Sequence, residues 1–131
     1  MKKLLSLILV AITVFALTAC GGMTKVNPIK SLIFSDEDYQ EAVTELQTYF
    51  SDWEGCTLKE ISYAGDEVVE REAKAAGVKS DCLIVLNTTF ETDGENHENG
   101  LEPNYEYKDY TFTFIRDDFT APWSHKDHGY G

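Results

Sequence analysis

The chain has 131 residues, 23 Asp and Glu against 11 Lys and Arg, a formal net charge of −12, and an apolar fraction of 43%. That length supports one modest hydrophobic core and not two. So acidic a surface repels phosphate backbones and anionic headgroups, which argues against charge-driven binding to DNA, RNA or a membrane surface. The acidity serves either plain solubility or the capture of cationic ligands.

The first element is a leader. Met1-Lys2-Lys3 is a short positive region, Leu4 to Ala16 is apolar apart from Ser6 and Thr13, and small residues precede Cys20. This is the pattern of a secretory signal peptide, and its apolar run is shorter than the roughly 18–20 residues that span a bilayer. Leu17-Thr18-Ala19-Cys20 resembles the lipobox of bacterial lipoproteins, Leu-(Ala/Ser/Thr)-(Gly/Ala)-Cys, at all four positions. The resemblance implies that signal peptidase II recognises Leu17, Thr18, Ala19 and Cys20 and cuts before Cys20. It also implies that Cys20 carries a diacylglyceryl group and palmitate-type acyl chains as the mature N-terminus, on the extracytoplasmic face of the cell membrane. One acyl chain holds a protein only marginally, whereas two hold it stably. The alternative is an ordinary signal peptide that leaves Cys20 a free thiol. The expected organisation is a signal peptide over 1–19, a lipidated N-terminus and polar tether containing Gly21, Gly22 and Pro28 over 20–31, and a single domain over 32–131.

Phe34-Ser35-Asp36-Glu37-Asp38 opens a helix, with Ser35 as N-cap, Asp38 at the capping-box position, and carboxylates in the first turn where the helix dipole favours them. Tyr39, Ala42, Val43, Leu46, Tyr49, Phe50 and Trp53 recur at helical spacing and form the core face, and Gly55 ends the run. Cys56 to Tyr63 reads as a strand in which Cys56 and Leu58 are out of phase with Ile61 and Tyr63, as a β-bulge would make them. A shorter helix follows over Glu67 to Ala76, capped by Asp66 and stopped by Gly77.

Cys82 to Leu86 is apolar on both faces and then alternates through Phe90, the mark of a central strand. Residues 91–104 form a polar loop. Tyr105 to Arg116 alternates, with Tyr110, Phe112 and Phe114 on one face and Tyr107, Thr111, Thr113 and Ile115 on the other. A last strand covers Pro122 to His128. The predicted fold is α+β: an amphipathic helix packed on a curved antiparallel sheet of about four strands, with a second short helix.

Apart from Cys20, the cysteines are Cys56 and Cys82, in a compartment where disulfides persist. A bridge between them would contribute roughly 3.5 kcal/mol on the chain-entropy model. Both sit at strand starts, however, and antiparallel neighbours would hold those starts at opposite ends of the ladder, beyond the roughly 7 Å between Cα atoms that a bridge tolerates. A disulfide and two separately buried thiols both stay open.

The element order resembles the cystatin-like or nuclear-transport-factor-like α+β folds. The run from Phe34-Ser35 through Gly55-Cys56-Thr57-Leu58 to His128-Gly129-Tyr130-Gly131 resembles small lipoproteins of Gram-positive, clostridia-type bacteria. That group brings no catalytic residues to transfer.

Two constellations carry ligand-type side chains. His125, Asp127 and His128 fall within one strand, where His125 and Asp127 share a face and His128 takes the other, so only two of them serve one metal. In the loop, Glu95, His97, Asn99, Gly100 and Glu106 fall at positions 1, 3, 5, 6 and 12 of a calcium-loop template. Glu at position 1, His at position 3, Pro103 and strand flanks depart from it, so a solvated hairpin loop competes with calcium. The chain has no Gly-x-Ser-x-Gly, no phosphate-cradling glycine loop, no paired-cysteine metal motif and no His-Glu-x-x-His. The expectation is therefore a membrane-anchored lipoprotein with a non-catalytic binding or accessory domain for an unknown protein, peptide or small ligand, without a cofactor or nucleic-acid partner. The alternatives are a divalent-metal binder built on loop 91–106 and a small enzyme using the concavity between helix and sheet.

Overall fold

The computed structural model describes residues 24–130. The elements run β1 (Lys25–Val26), α1 (Asp36–Phe50), β2 (Cys56–Tyr63), α2 (Asp66–Ala76), a 3-10 turn (Ser80–Cys82), β3 (Leu83–Thr92), β4 (Glu106–Ile115) and β5 (Ser124–Tyr130). The strands form one sheet in the order β1-β2-β3-β4-β5, antiparallel except for the parallel β1–β2 pair. The α+β architecture is thus as the sequence predicts, with one more strand. No helix of the described residues is long and apolar enough to cross a membrane.

The additional strand corrects the tether. Thr24 Oγ1 donates to the Leu58 carbonyl at 2.9 Å, Lys25 and Val26 pair with Glu60 and Ile61, and Asn27 Nδ2 reaches Glu60 Oε2 and Ser62 Oγ at 2.8 and 2.7 Å. The Tyr39 hydroxyl donates to the Asn27 carbonyl at 2.7 Å, and burial of that phenol pushes its pKa up to about 12. The domain therefore starts by Thr24, not at residue 32. Two residues of strand carry no periodicity, and tertiary partners on β2 and α1 decide their conformation. Leu17, Thr18, Ala19 and Cys20 lie outside the described residues.

α1 starts as its capping box dictates. Asp38 N donates to Ser35 Oγ at 3.1 Å and Ser35 N donates to Asp38 Oδ2 at 3.2 Å, closing two of the amides a helix start leaves open. Tyr39, Ala42, Val43, Leu46 and Phe50 are buried on its inner face. The helix ends at Phe50, and Trp53 stands in the following turn instead of on the helix. Its indole still covers Phe50 and Phe90, at 5.2 and 5.7 Å between ring centroids. The concavity between α1 and the sheet is filled: Tyr39, Leu46, Phe50, Phe112 and Phe114 are each at most 5% exposed.

Asp66 opens α2 but does not cap it, since Gly65 occupies the N-cap position. Its carboxylate instead accepts from Ser31 Oγ at 2.5 Å, Tyr63 Oη at 2.6 Å and Leu32 N at 2.8 Å, binding the N-terminal segment to β2 and α2. Burial pulls its pKa up, but the bonds from Ser31, Tyr63 and Leu32 outweigh that and hold it below the usual carboxylate range. A lowered folded pKa is stabilising above the unfolded value, and that contribution is lost as pH falls through the folded value. Asp66→Asn should cost about 1–2 kcal/mol at neutral pH. The wild-type melting temperature should also fall more steeply than the variant's below about pH 4. Parallel acid profiles would contradict this role.

Three bulges set the faces of the sheet. Leu58 and Glu60 oppose consecutive residues of β3, so Lys59 is the extra residue the sequence phase implies. Thr88 pairs with Tyr110 and Phe90 with Tyr107, which places an extra residue in β4 at Lys108-Asp109, where Asp109 has φ 55°. Thr113 pairs with Asp127 and Phe114 with His125, leaving Lys126 extra in β5. The second bulge brings Tyr107 to the face of Tyr110, Phe112 and Phe114, against the simple alternation expected from sequence.

Candidate ligand cleft

Where α1 ends, the concave face of the sheet continues and a different set of side chains covers it. The turn 51–55 carries Asp52, Trp53 and Glu54 over β4, and Gly55, at φ 71°, turns the chain into β2. A side chain at Gly55 would displace His97 and Asp93, because its Cβ would fall 2.3 Å from His97 Nε2 and 2.8 Å from Asp93 Oδ1. The loop between β3 and β4 therefore lies directly on that turn, and Asp93 N donates to the Gly55 carbonyl at 2.8 Å.

His97 fastens this contact. Its Nε2 lies 2.9 Å from Asp93 Oδ1 and 4.0 Å from Glu95 Oε2, and its Nδ1 lies 3.6 Å from Glu54 Oε2. The bond from Glu95 N and the nearby His97 hold the Asp93 carboxyl below its ordinary range. Asn99 Oδ1 accepts from Leu101 N at 3.1 Å, and Glu102 N donates to the Tyr107 hydroxyl at 2.9 Å. Between loop, turn and sheet lies a cleft of about 330 Å³, lined by Asp52, Trp53, Glu54, His97, Asn99, Leu101, Tyr110 and His128.

The β5 bulge decides what reaches this cleft. With Lys126 extra, His125 and His128 share the face of Phe112, and Asp127 turns to the other; the sequence expectation of His125 with Asp127 is thereby corrected. His125 Nε2 lies 3.0 Å from His128 Nδ1. His125 stacks on Tyr49 with centroids 4.0 Å apart, and His128 meets Trp53 edge-on at 5.0 Å. Burial and the neighbouring His128 lower the His125 pKa, so His125 is neutral at neutral pH. All three histidines of the chain thus stand around the end of α1, His97 from the loop and His125 and His128 from β5.

Of the loop candidates, the structure brings Glu95 and His97 together and adds Asp93, the three offering ligand atoms within 4.8 Å of one another. Asp93 is the residue sequence reasoning missed; its two-residue spacing to Glu95 and His97 was the available signal. Asn99 lines the cleft instead of joining them. Glu106 stands in β4 opposite Glu91 and pairs with Lys108 at 3.3 Å, so the twelve-position calcium ring is not assembled. Cys56 and Cys82 are both free thiols. Cys56 opposes Thr92 while Cys82 directly precedes Leu83, at opposite ends of β3, roughly 30 Å apart along the strand.

The convergent groups are π faces, imidazoles and carboxylates, and no hydroxyl or thiol of the described residues is hydrogen-bonded to a histidine. Such a lining holds ligands by stacking, cation–π attraction and charge. Compared with protein-family models, with curated proteins and with solved structures, the chain matches none.

Proposed function

We propose that this protein is a membrane-anchored extracytoplasmic lipoprotein, tethered through acylated Cys20, whose small cystatin-like or nuclear-transport-factor-like domain binds a protein, peptide or small ligand without transforming it. The observation that supports this most is the division of the concave face. Under α1 it is filled with buried apolar side chains, which leaves no room there for a substrate, while beyond α1 it opens into a cleft walled by Trp53 and Tyr110 and rimmed by Asp52 and Glu54. Aromatic walls with a carboxylate rim favour a ligand that presents a cationic or planar group.

Site-specific photocrosslinking in intact cells tests the reading. A crosslinker at Asp52 or Asn99, both exposed at the cleft, should capture a discrete adduct, whereas one at Glu70 or Lys74 on the exposed side of α2 should not. Adducts that are equal from both faces, or absent from both, would count against a binding cleft. A second reading is divalent-metal binding by the loop, favoured by the convergence of Asp93, Glu95 and His97. Against it, His97 already has a carboxylate at each ring nitrogen, Asp93 and Glu54, and so serves as the fastening of loop to turn.

A further inference from the structure

The geometry points to a two-histidine site for a borderline divalent transition ion, formed by His125 Nε2 and His128 Nδ1. It does not depend on which organic or protein ligand the cleft takes. Two nitrogens bound to one zinc-like ion at about 2.0–2.1 Å are separated by roughly 2.8–3.4 Å for bond angles between square and tetrahedral, and these two lie 3.0 Å apart. Among the hydrogen bonds of the described residues, each has only the other as partner. The juxtaposition depends on the bulge at Lys126; without it, residues three apart in a strand would point to opposite faces.

The rings are also held from behind. His125 is stacked on Tyr49 and packs edge-on to Phe114 at 5.9 Å, while His128 lies on Phe112 at 5.6 Å and against Trp53 at 5.0 Å. Locked rotamers lower the entropy lost on chelation. His128 is exposed and His125 half-buried, so an ion enters from solvent, and water completes its coordination. Chelation requires the exposed His128 ring to turn out of the hydrogen bond, within the freedom its packing on Phe112 and Trp53 leaves, so that both lone pairs meet at the ion.

The proton balance is simple. In the ion-free protein one nitrogen of the pair donates its proton to the other. For the ion to bind, that proton moves to the remote nitrogen of its own ring or leaves to solvent, so that both nitrogens offer lone pairs. Two neutral nitrogens select zinc, nickel or copper over calcium and magnesium, which prefer oxygen.

The test uses tag-free, full-length protein in detergent at pH 7.5, titrated calorimetrically with zinc or nickel chloride. One equivalent should bind, with affinity at least tenfold weaker in His125→Gln and His128→Gln and unchanged in His97→Gln. Calcium chloride should give no heat that depends on His125 or His128. Copper(II) supplies a second readout, since Trp53 touches His128 while Trp123 lies over Arg116 at 4.0 Å. Copper should quench tryptophan emission in the wild type and in Trp123→Phe, and much less in Trp53→Phe or His128→Gln. No binding by the wild type would overturn the site, as would binding that survives both histidine substitutions or is lost with His97 alone. His128→Gln changes an exposed residue, so its circular dichroism should match the wild type's and keep the comparison valid.

Discussion

Replacing Arg116 by alanine is expected to destabilise the domain by about 3–5 kcal/mol, the cost of breaking a buried ion pair from one side. Arg116 is charged, yet its side chain is only 1% exposed. Its Nη1 donates to Asp38 Oδ1 at 3.2 Å, its Nε donates to the Asp81 carbonyl at 2.8 Å, and its guanidinium lies 4.0 Å over the Trp123 ring. Trp123 in turn donates its indole N–H to the Asp38 carbonyl at 3.1 Å. One side chain thereby joins the end of β4, the capping box of α1, the 3-10 turn before β3, and the connection into β5. Alanine removes all three contacts and leaves a cavity beneath Trp123. Asp38 is 27% exposed, so water solvates part of the stranded carboxylate, which places the loss toward the lower end of the range. Lysine should recover only part of it, because a point charge cannot serve two acceptors and a ring in the planar arrangement a guanidinium provides. Urea unfolding of the three proteins measures this directly. A loss below about 1 kcal/mol for alanine would show the network to be incidental.

Arg116 also shows where sequence reasoning stops. Its position ends an alternating strand, and nothing local distinguishes it from a solvated arginine. Its role comes from Asp38, 78 residues away. Local chemistry, by contrast, was legible. Ser35 and Asp38 cap α1 as their spacing requires, Gly77 ends α2 at φ 72°, and the phase break across Lys59 marks a bulge because the residues on both sides are apolar. The bulge at Lys126 left no such mark, since polar residues flank it, whereas that at Lys108-Asp109 lies between Tyr107 and Tyr110, whose three-residue spacing was the available signal. Their consequences are large: Tyr107 changes face, and His125 exchanges Asp127 for His128 as its neighbour. The cleft was hidden for the same reason. It is built from a turn, a loop and two bulged strands, and only tertiary folding brings Trp53, His97, Tyr110 and His128 together. Asp66, expected to cap a helix, instead binds Ser31 and Leu32, a segment with no secondary-structure pattern of its own.

The second large effect concerns where the protein resides. Cys20→Ser removes the thiol that the lipobox resemblance assigns to acylation, and with it the acyl chains, each methylene of which contributes about 0.8 kcal/mol to membrane binding. Among the described residues nothing replaces them. The formal charge of −12 repels anionic headgroups, and no helix of the described residues is long and apolar enough to span a bilayer. The wild-type chain should therefore partition almost wholly with membranes and into detergent, and the domain of Cys20→Ser should keep its fold but not its lipid. Intact-mass and N-terminal peptide analysis of protein extracted from membranes is the most direct measurement. The account predicts a chain that begins at Cys20 and carries the added mass of a diacylglyceryl group, with that species absent from Cys20→Ser. A chain cut elsewhere with an unmodified Cys20, and with wild type and variant fractionating alike, would contradict it.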